Sequence, residues 1–152
     1  MGIKCTTHLE TVLHRLERGA DGVTANVERA FLRAGEAAVR GARNPLGRDY
    51  TDRTGNLRAS TGYVLTRDGA EIRAGGFTKV DGKGEDGTKA GRAHAEELAG
   101  GDKSPDTITL HVTTGMSYAR YVDARGYDVL DTAERAAVRA LSKHLTKRGN
   151  RK

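Results

Sequence analysis

Apolar residues at Leu9, Leu13, Leu16, Ala20, Val23, Val27, Ala30, Ala34 and Ala37 are spaced alternately by four and three. That period belongs to a helix, and it predicts a single stripe along a helix of about 33 residues. Val12, Phe31 and Ala38 widen the stripe, and Thr6 or Thr7 can cap its start, with Glu10 completing a capping-box pattern. Gly19, Gly22 and Gly35 each weaken the interior by up to ~1 kcal/mol relative to alanine, so the pattern permits a break near Ala20-Asp21-Gly22. The stripe changes from leucine to alanine along its length. Alanine lets another backbone come close, which assigns the later half to tight packing on a sheet. Gly41 and Asn44-Pro45 end the run. A coiled coil satisfies the same heptads, but mid-stripe alanine and glycine favour a helix laid on a sheet.

A hairpin follows. Tyr63–Arg67 and Ala70–Ala74 flank Asp68-Gly69, a pair suited to a type I′ turn. Thr107–Val112 alternates cleanly, with Ile108, Leu110 and Val112 toward the core and Thr107, Thr109 and His111 facing out. A short fourth strand is expected at Tyr127–Leu130. Between hairpin and third strand lies 76–106, dense in Gly, Lys, Asp and Glu, which reads as a long polar loop with a short helix over Thr88–Ala99, where Ala90, Ala93, Ala95 and Leu98 lie on or near one side. A closing helix has Asp131 as cap, Glu134 three residues on, and Ala133, Ala136, Ala137, Ala140, Leu141 and Leu145 as its apolar face. The expected class is α+β: a long N-terminal and a C-terminal helix, most simply on one face of a small, mainly antiparallel sheet of about three to five strands. Residues 1–142 form the expected single domain.

With aromatics at only 5% of 152 residues, the core must be built mainly of Ala, Val, Leu and Ile. A thin core of that kind invites support from a partner surface. Lys143, Lys147, Arg148, Arg151 and Lys152 give residues 143–152 five positive charges and no acid. Subtracting those five from the formal +6 leaves +1 for the other 142 residues. The expected picture is a nearly neutral body with a basic C-terminal tail, either a solvated end or a contact for DNA or an acidic partner. Cys5 is the single cysteine, which excludes an intrachain disulfide and a cysteine metal cluster. No apolar run approaches a membrane span, and the opening MGIKCTTHLE lacks the apolar stretch of a signal peptide. A soluble protein made in a reducing cytoplasm is expected.

Catalytic constellations are hard to assemble. His8 and His14 are six apart and point to different helix faces, His111 sits in an outward strand register, and His94 and His144 lie in no catalytic motif. Gly82–Lys89 imitates a phosphate loop but ends Thr-Lys, where that loop needs Lys followed by a hydroxyl. Glu96-Glu97 diverge on a helix, and Glu85-Asp86 lack calcium-loop spacing. Arg40, Arg43, Arg48, Arg53 and Arg58 cluster near the end of the first helix, without stacking aromatics or helix-turn-helix spacing. No enzyme and no cofactor are expected.

Two stretches carry a resemblance. Asp52-Arg53-Thr54-Gly55-Asn56-Leu57-Arg58-Ala59-Ser60 resembles the D-T-G-x-L-R-x-S signature of tailed-phage neck proteins, the head–tail joining and tail-completion subunits of long-tailed phages. Tyr118-Ala119-Arg120-Tyr121-Val122-Asp123-Ala124-Arg125-Gly126-Tyr127 is similar to their Y-A-x-x-V-E-x-G stretch. Arg53 interrupts the first motif, Asp123 replaces glutamate, and one extra residue precedes Gly126. The resemblance implies a structural subunit of the virion neck, assembled in the host cytoplasm and closed into a ring around a DNA channel. Its implied partners are copies of itself, portal-side connector and tail proteins, and DNA held without sequence preference, with no membrane and no cofactor. The 76–106 loop would then be an inter-subunit or inter-ring arm. From the residues themselves, Gly55 supplies a tight turn that Asp52 or Thr54 can cap, and Leu57 is its apolar anchor. The alternative is a small, basic, non-enzymatic DNA-associated protein.

Overall fold

The computed structural model describes residues 9–44, 52–103, 105–127 and 129–149. The elements are α1 (Leu9–Arg43), α2 (Asn56–Ser60), β1 (Thr61–Arg67), β2 (Ala70–Gly76), α3 (Glu85–Gly101), β3 (Ile108–Thr114), α4 (Ala119–Val122) and α5 (Val129–Gly149). The fold is α+β, as its sequence pattern predicts. The three strands form one antiparallel sheet in the order β2-β1-β3. The Thr6/Thr7 cap, Cys5, His8, Pro45 and Arg48 lie outside the described residues.

Helix α1 runs unbroken through the glycines where a break was allowed. Its two halves have different surroundings. From Ala30 onward, Ala30, Ala34, Ala38, Val39 and Ala42 are buried, as the alanine half of the stripe predicts. Residues 10–23 are all exposed, including Leu13 at 48%, Leu16 at 65% and Val23 at 63%. At 1.5 Å per residue, that stretch carries the leucine stripe about 20 Å along the helix without cover. Gly19 and Gly22 have open space where a Cβ would stand. Gly19→Ala with Gly22→Ala is therefore expected to raise helicity and add up to ~1 kcal/mol per site, read by circular dichroism and thermal melting.

Strand β1 is central, and its first six residues are buried. Tyr63 pairs with Val112 and Leu65 with Leu110 on one face, while Val64 pairs with His111 and Thr66 with Thr109 on the other. The first face meets α1. Tyr63 lies against Gly35, where an added Cβ would stand 2.7 Å from the ring. The second face meets α3, whose Ala95 and Ala99 bury Val64 and Phe77 with it. Helices α1 and α5 share the first face, as expected, while α3 covers the second, so His111 is half-buried rather than solvated. On the edge strand β2, Leu65 pairs with Arg73 and Thr66 with Glu71, so Ile72 is bulged out of register.

Segment 76–106 departs from the expected loop because α3 occupies most of it. Gly87, Gly91, Ala95 and Ala99 recur every fourth residue and are its buried face. Ala90, Ala93 and Leu98, expected on or near the packed side, are half-buried or exposed. The expected fourth strand at Tyr127–Leu130 is also absent. Asp123–Tyr127 forms a wide helical turn with Gly126 at φ 79, and Val129 already opens α5. Asp131 thus falls in the first turn, and the cap comes from Asp123, whose Oδ1 accepts the Val129 N–H at 3.0 Å. Helix α5 continues to Gly149, so Lys143, Lys147 and Arg148 belong to a helix, while Arg151 and Lys152 lie outside the described residues. Helices α1 and α5 run antiparallel: an added Cβ on Gly41 would lie 3.1 Å from Ala136 Cβ, and Arg33 meets His144.

Candidate functional site: a junction of two motifs

The first motif folds into a small self-braced turn. Gly55 adopts φ 72, the left-handed region in which glycine alone is unstrained. Asp52 closes the turn twice: its carbonyl accepts the Gly55 N–H at 3.3 Å, and its Oδ2 accepts the Arg58 N–H at 2.9 Å. Thr54 Oγ1 accepts the Asn56 N–H at 3.4 Å. Both expected caps are present. Asn56 reaches farther, since its Oδ1 accepts the Gly87 N–H at 3.2 Å and so ties the turn to α3.

Leu57 is 2% exposed and joins Ala38, Ala42, Val129 and Ala133 in one cluster. Met116, Ala119, Val122 and Tyr127 pack against the same cluster. Leu57 thus shares one core with Ala119 and Val122 of the second motif. Tyr118 adds a polar link. Burial raises its phenol pKa above the usual value, the negative Asp52 raises it further, and a hydrogen bond with Thr54 opposes both. Gly126, by its left-handed backbone, lets the chain turn into α5. Leu57 of the first motif and Ala119, Val122 and Tyr127 of the second therefore meet at one junction between α1, α2, α4 and α5.

Arg43 was assigned from the sequence only to the end of a helix. In the structure its guanidinium donates to the Arg58 carbonyl at 3.1 Å, the Thr61 carbonyl at 3.3 Å and Thr78 Oγ1 at 3.0 Å. It links the end of α1 to the C-terminal part of the first motif, the start of β1 and Thr78. Only the pairing of α1 with this turn reveals that role. Arg43→Met is expected to lower the melting temperature through loss of about 2 kcal/mol, as charge-assisted hydrogen bonds to carbonyls are broken.

Several of the ionisable groups weighed from the sequence are in ion pairs or hydrogen bonds. Glu85 pairs with Lys79 at 2.9 Å and Lys89 at 3.4 Å, and Arg92 joins Glu96 at 2.8 Å to Glu71 at 3.0 Å. His14 meets Glu17 at 3.3 Å and His94 meets Glu97 at 3.6 Å. Thr66 donates to Asp102 Oδ2 at 2.6 Å, and His111 Nε2 lies 3.4 Å from that same oxygen. The hydroxyl is bonded to carboxylate rather than imidazole, and Thr66 is wholly buried, so this trio does not form a nucleophile–base relay. Among the described residues no group of three or more His, Cys, Asp or Glu is placed to hold a metal ion, and no helix is long and apolar enough to cross a membrane.

A basic groove escaped the sequence reading. Asn26, Arg29, Ala30 and Arg33 of α1 and His144 of α5 line a cavity of about 150 Å³. Arg33 Nη1 lies 3.2 Å from His144 Nδ1, and Arg29 bonds to Asn26. Among the described residues neither arginine is paired with a carboxylate. The positions 26, 29 and 33 share one helix face, but nothing in the sequence indicates that His144 comes to it. Comparison with models of known families, with curated proteins and with solved structures finds no match to this chain.

Proposed function

We propose that this chain is a structural subunit of a tailed-phage neck, a head–tail joining or tail-completion protein that closes into a ring around the DNA channel. One observation carries the reading: two separated motif stretches meet in a single junction that positions helices. Asp52, Gly55 and Leu57 build one side of it, and Tyr118, Ala119 and Val122 the other. Motifs of this kind act on geometry, which suits a subunit whose work is assembly. The protein acts in the virion without catalysis or cofactor, its partners being its own copies, portal-side connector and tail proteins, and passing DNA.

Electron microscopy and light scattering of the purified protein, alone and with tails, test this. Discrete rings that join tail ends are expected. A strictly monomeric protein that joins no particle defeats the reading.

The basic groove favours a second reading, a DNA-associated module. Arg29 and Arg33 offer guanidinium donors to phosphate, with Lys143 on the helix beside them. That reading predicts binding whose logarithm falls with the logarithm of salt by about 0.9 per phosphate contacted. It also predicts that Arg29→Gln with Arg33→Gln lowers the slope by about two. Salt-independent or undetectable DNA binding removes it.

A further inference from the structure

The exposed leucine stripe of α1 has a counterpart elsewhere on the molecule. Leu110 and Val112 of β3 and Leu130, Ala133, Glu134, Ala137 and Val138 of α5 line a groove of about 320 Å³ that is apolar except for Glu134. Leu130 and Val138 are exposed large hydrophobic residues, Val138 at 55%. The molecule therefore carries an apolar ridge, Val12, Leu13, Leu16 and Val23, and a largely apolar groove. They cannot meet within one chain. Helix α1 is continuous to Arg43, and its exposed turns extend away from the pairing with α5, in which Gly41 meets Ala136 and Arg33 meets His144.

Charge sorts the two surfaces further. At 100° per residue, Glu10, Glu17 and Asp21 share one edge of the ridge, with Arg15 and Arg18 farther round the helix. Arg135, Arg139 and Lys143 recur every fourth residue and form a basic row beside Val138, on the side away from Ala133 and Ala137. Asp131 heads the same row and Glu134 lines the groove itself, so the basic stretch begins at Arg135 and the acidic edge must lie C-terminal to these two acids. An antiparallel α1–α1 pair would instead set the acidic edge against its own copy, which is unfavourable.

We infer that the projecting first half of α1 docks into the β3–α5 groove of a second copy, with its acidic edge along the Arg135–Arg139–Lys143 row. This contact joins two different surfaces, so each copy keeps one ridge and one groove to offer. Repetition then makes either a closed ring or an open filament. The inference deepens the ring reading and rests on it only for closure.

Sedimentation velocity over a concentration series tests it, using Leu16→Glu for the ridge and Val138→Glu for the groove. Both positions are exposed, and circular dichroism verifies that each variant stays folded. Wild type is expected to form species larger than dimers, and each variant alone to associate about 10- to 100-fold more weakly. An equimolar mixture of the variants is expected to stop at a 1:1 dimer, because one intact ridge meets one intact groove and the remaining surfaces are both spoiled. A monomeric wild type, or a mixture that stays monomeric, overturns the inference. Association lost in Leu16→Glu but unchanged in Val138→Glu overturns it in favour of an α1–α1 pair. Discrete rings surviving in Val138→Glu remove this contact and leave the ring reading standing. Wild-type filaments that grow without limit, and are broken by both variants, remove the ring and leave the contact.

Discussion

Leu57→Asp is expected to unfold the chain near room temperature, while Arg58→Ala melts close to the wild type. The two residues are neighbours in one motif, but their side chains are placed differently. Leu57 fills the centre of the cluster formed with Ala38, Ala42, Val129 and Ala133, so the substitution empties an apolar space and puts a carboxylate there. Together the cavity and the unpaired polar group cost more than about 4 kcal/mol, a large part of the stability of a domain this size. Arg58 braces the turn through its backbone. Its N–H donates to Asp52 and its carbonyl accepts from Arg43, and both survive truncation to alanine. A cost of about 1 kcal/mol follows for the lost side chain. Scanning calorimetry of the two variants decides the matter, and comparable melting temperatures would contradict this account of the motif.

Gly91→Ala is expected to destabilise the protein by about 3 kcal/mol, against the usual gain from replacing glycine by alanine in a helix. The sign reverses because Gly91 packs on backbone. A Cβ there overlaps the Ser60 carbonyl oxygen and crowds the Phe77 ring, so α3 must move off the sheet. Gly100 is in the same helix, and a Cβ added there would meet nothing within 4 Å. Gly100→Ala is therefore the matched control, neutral or stabilising by up to ~1 kcal/mol. Urea denaturation of both variants reads the difference. Equal midpoints would show that α3 is held less closely than its glycine contacts indicate.

These two positions also mark what the sequence made legible. Leu57 was identifiable as an anchor because it is the one apolar residue in a polar turn. The α1 stripe, the hairpin and the alternation of β3 were likewise visible, since each rests on large apolar side chains at a regular period. Helix α3 was legible only as a short helix over Thr88–Ala99, and its extent and packed side were missed because its buried face is Gly87, Gly91, Ala95 and Ala99. Residues that small carry little hydrophobic signal, and a search for apolar periodicity passes over them. The strand expected at Tyr127–Leu130 failed for another reason. A short apolar run does not distinguish a strand from the first turn of a helix, and Asp123, which decides the outcome by capping Val129, precedes the run. The Arg33–His144 contact and the Tyr118–Thr54 bond join residues far apart in the chain, and pairings of that kind appear only once the helices are placed.

The unbroken course of α1 makes it a lever. Its buried half is the seat, held on α5 and the sheet, and the exposed turns are the free arm. A tilt of about 5° at the seat swings a tip ~20 Å away by roughly 2 Å, the scale on which one side chain replaces another in a contact. The most sensitive point is then remote from the moving end, at Gly41, where a single added methyl group would press on Ala136 and the Thr132 carbonyl. Fine adjustment of where the tip points is thus written in the smallest residues at the opposite end of the helix.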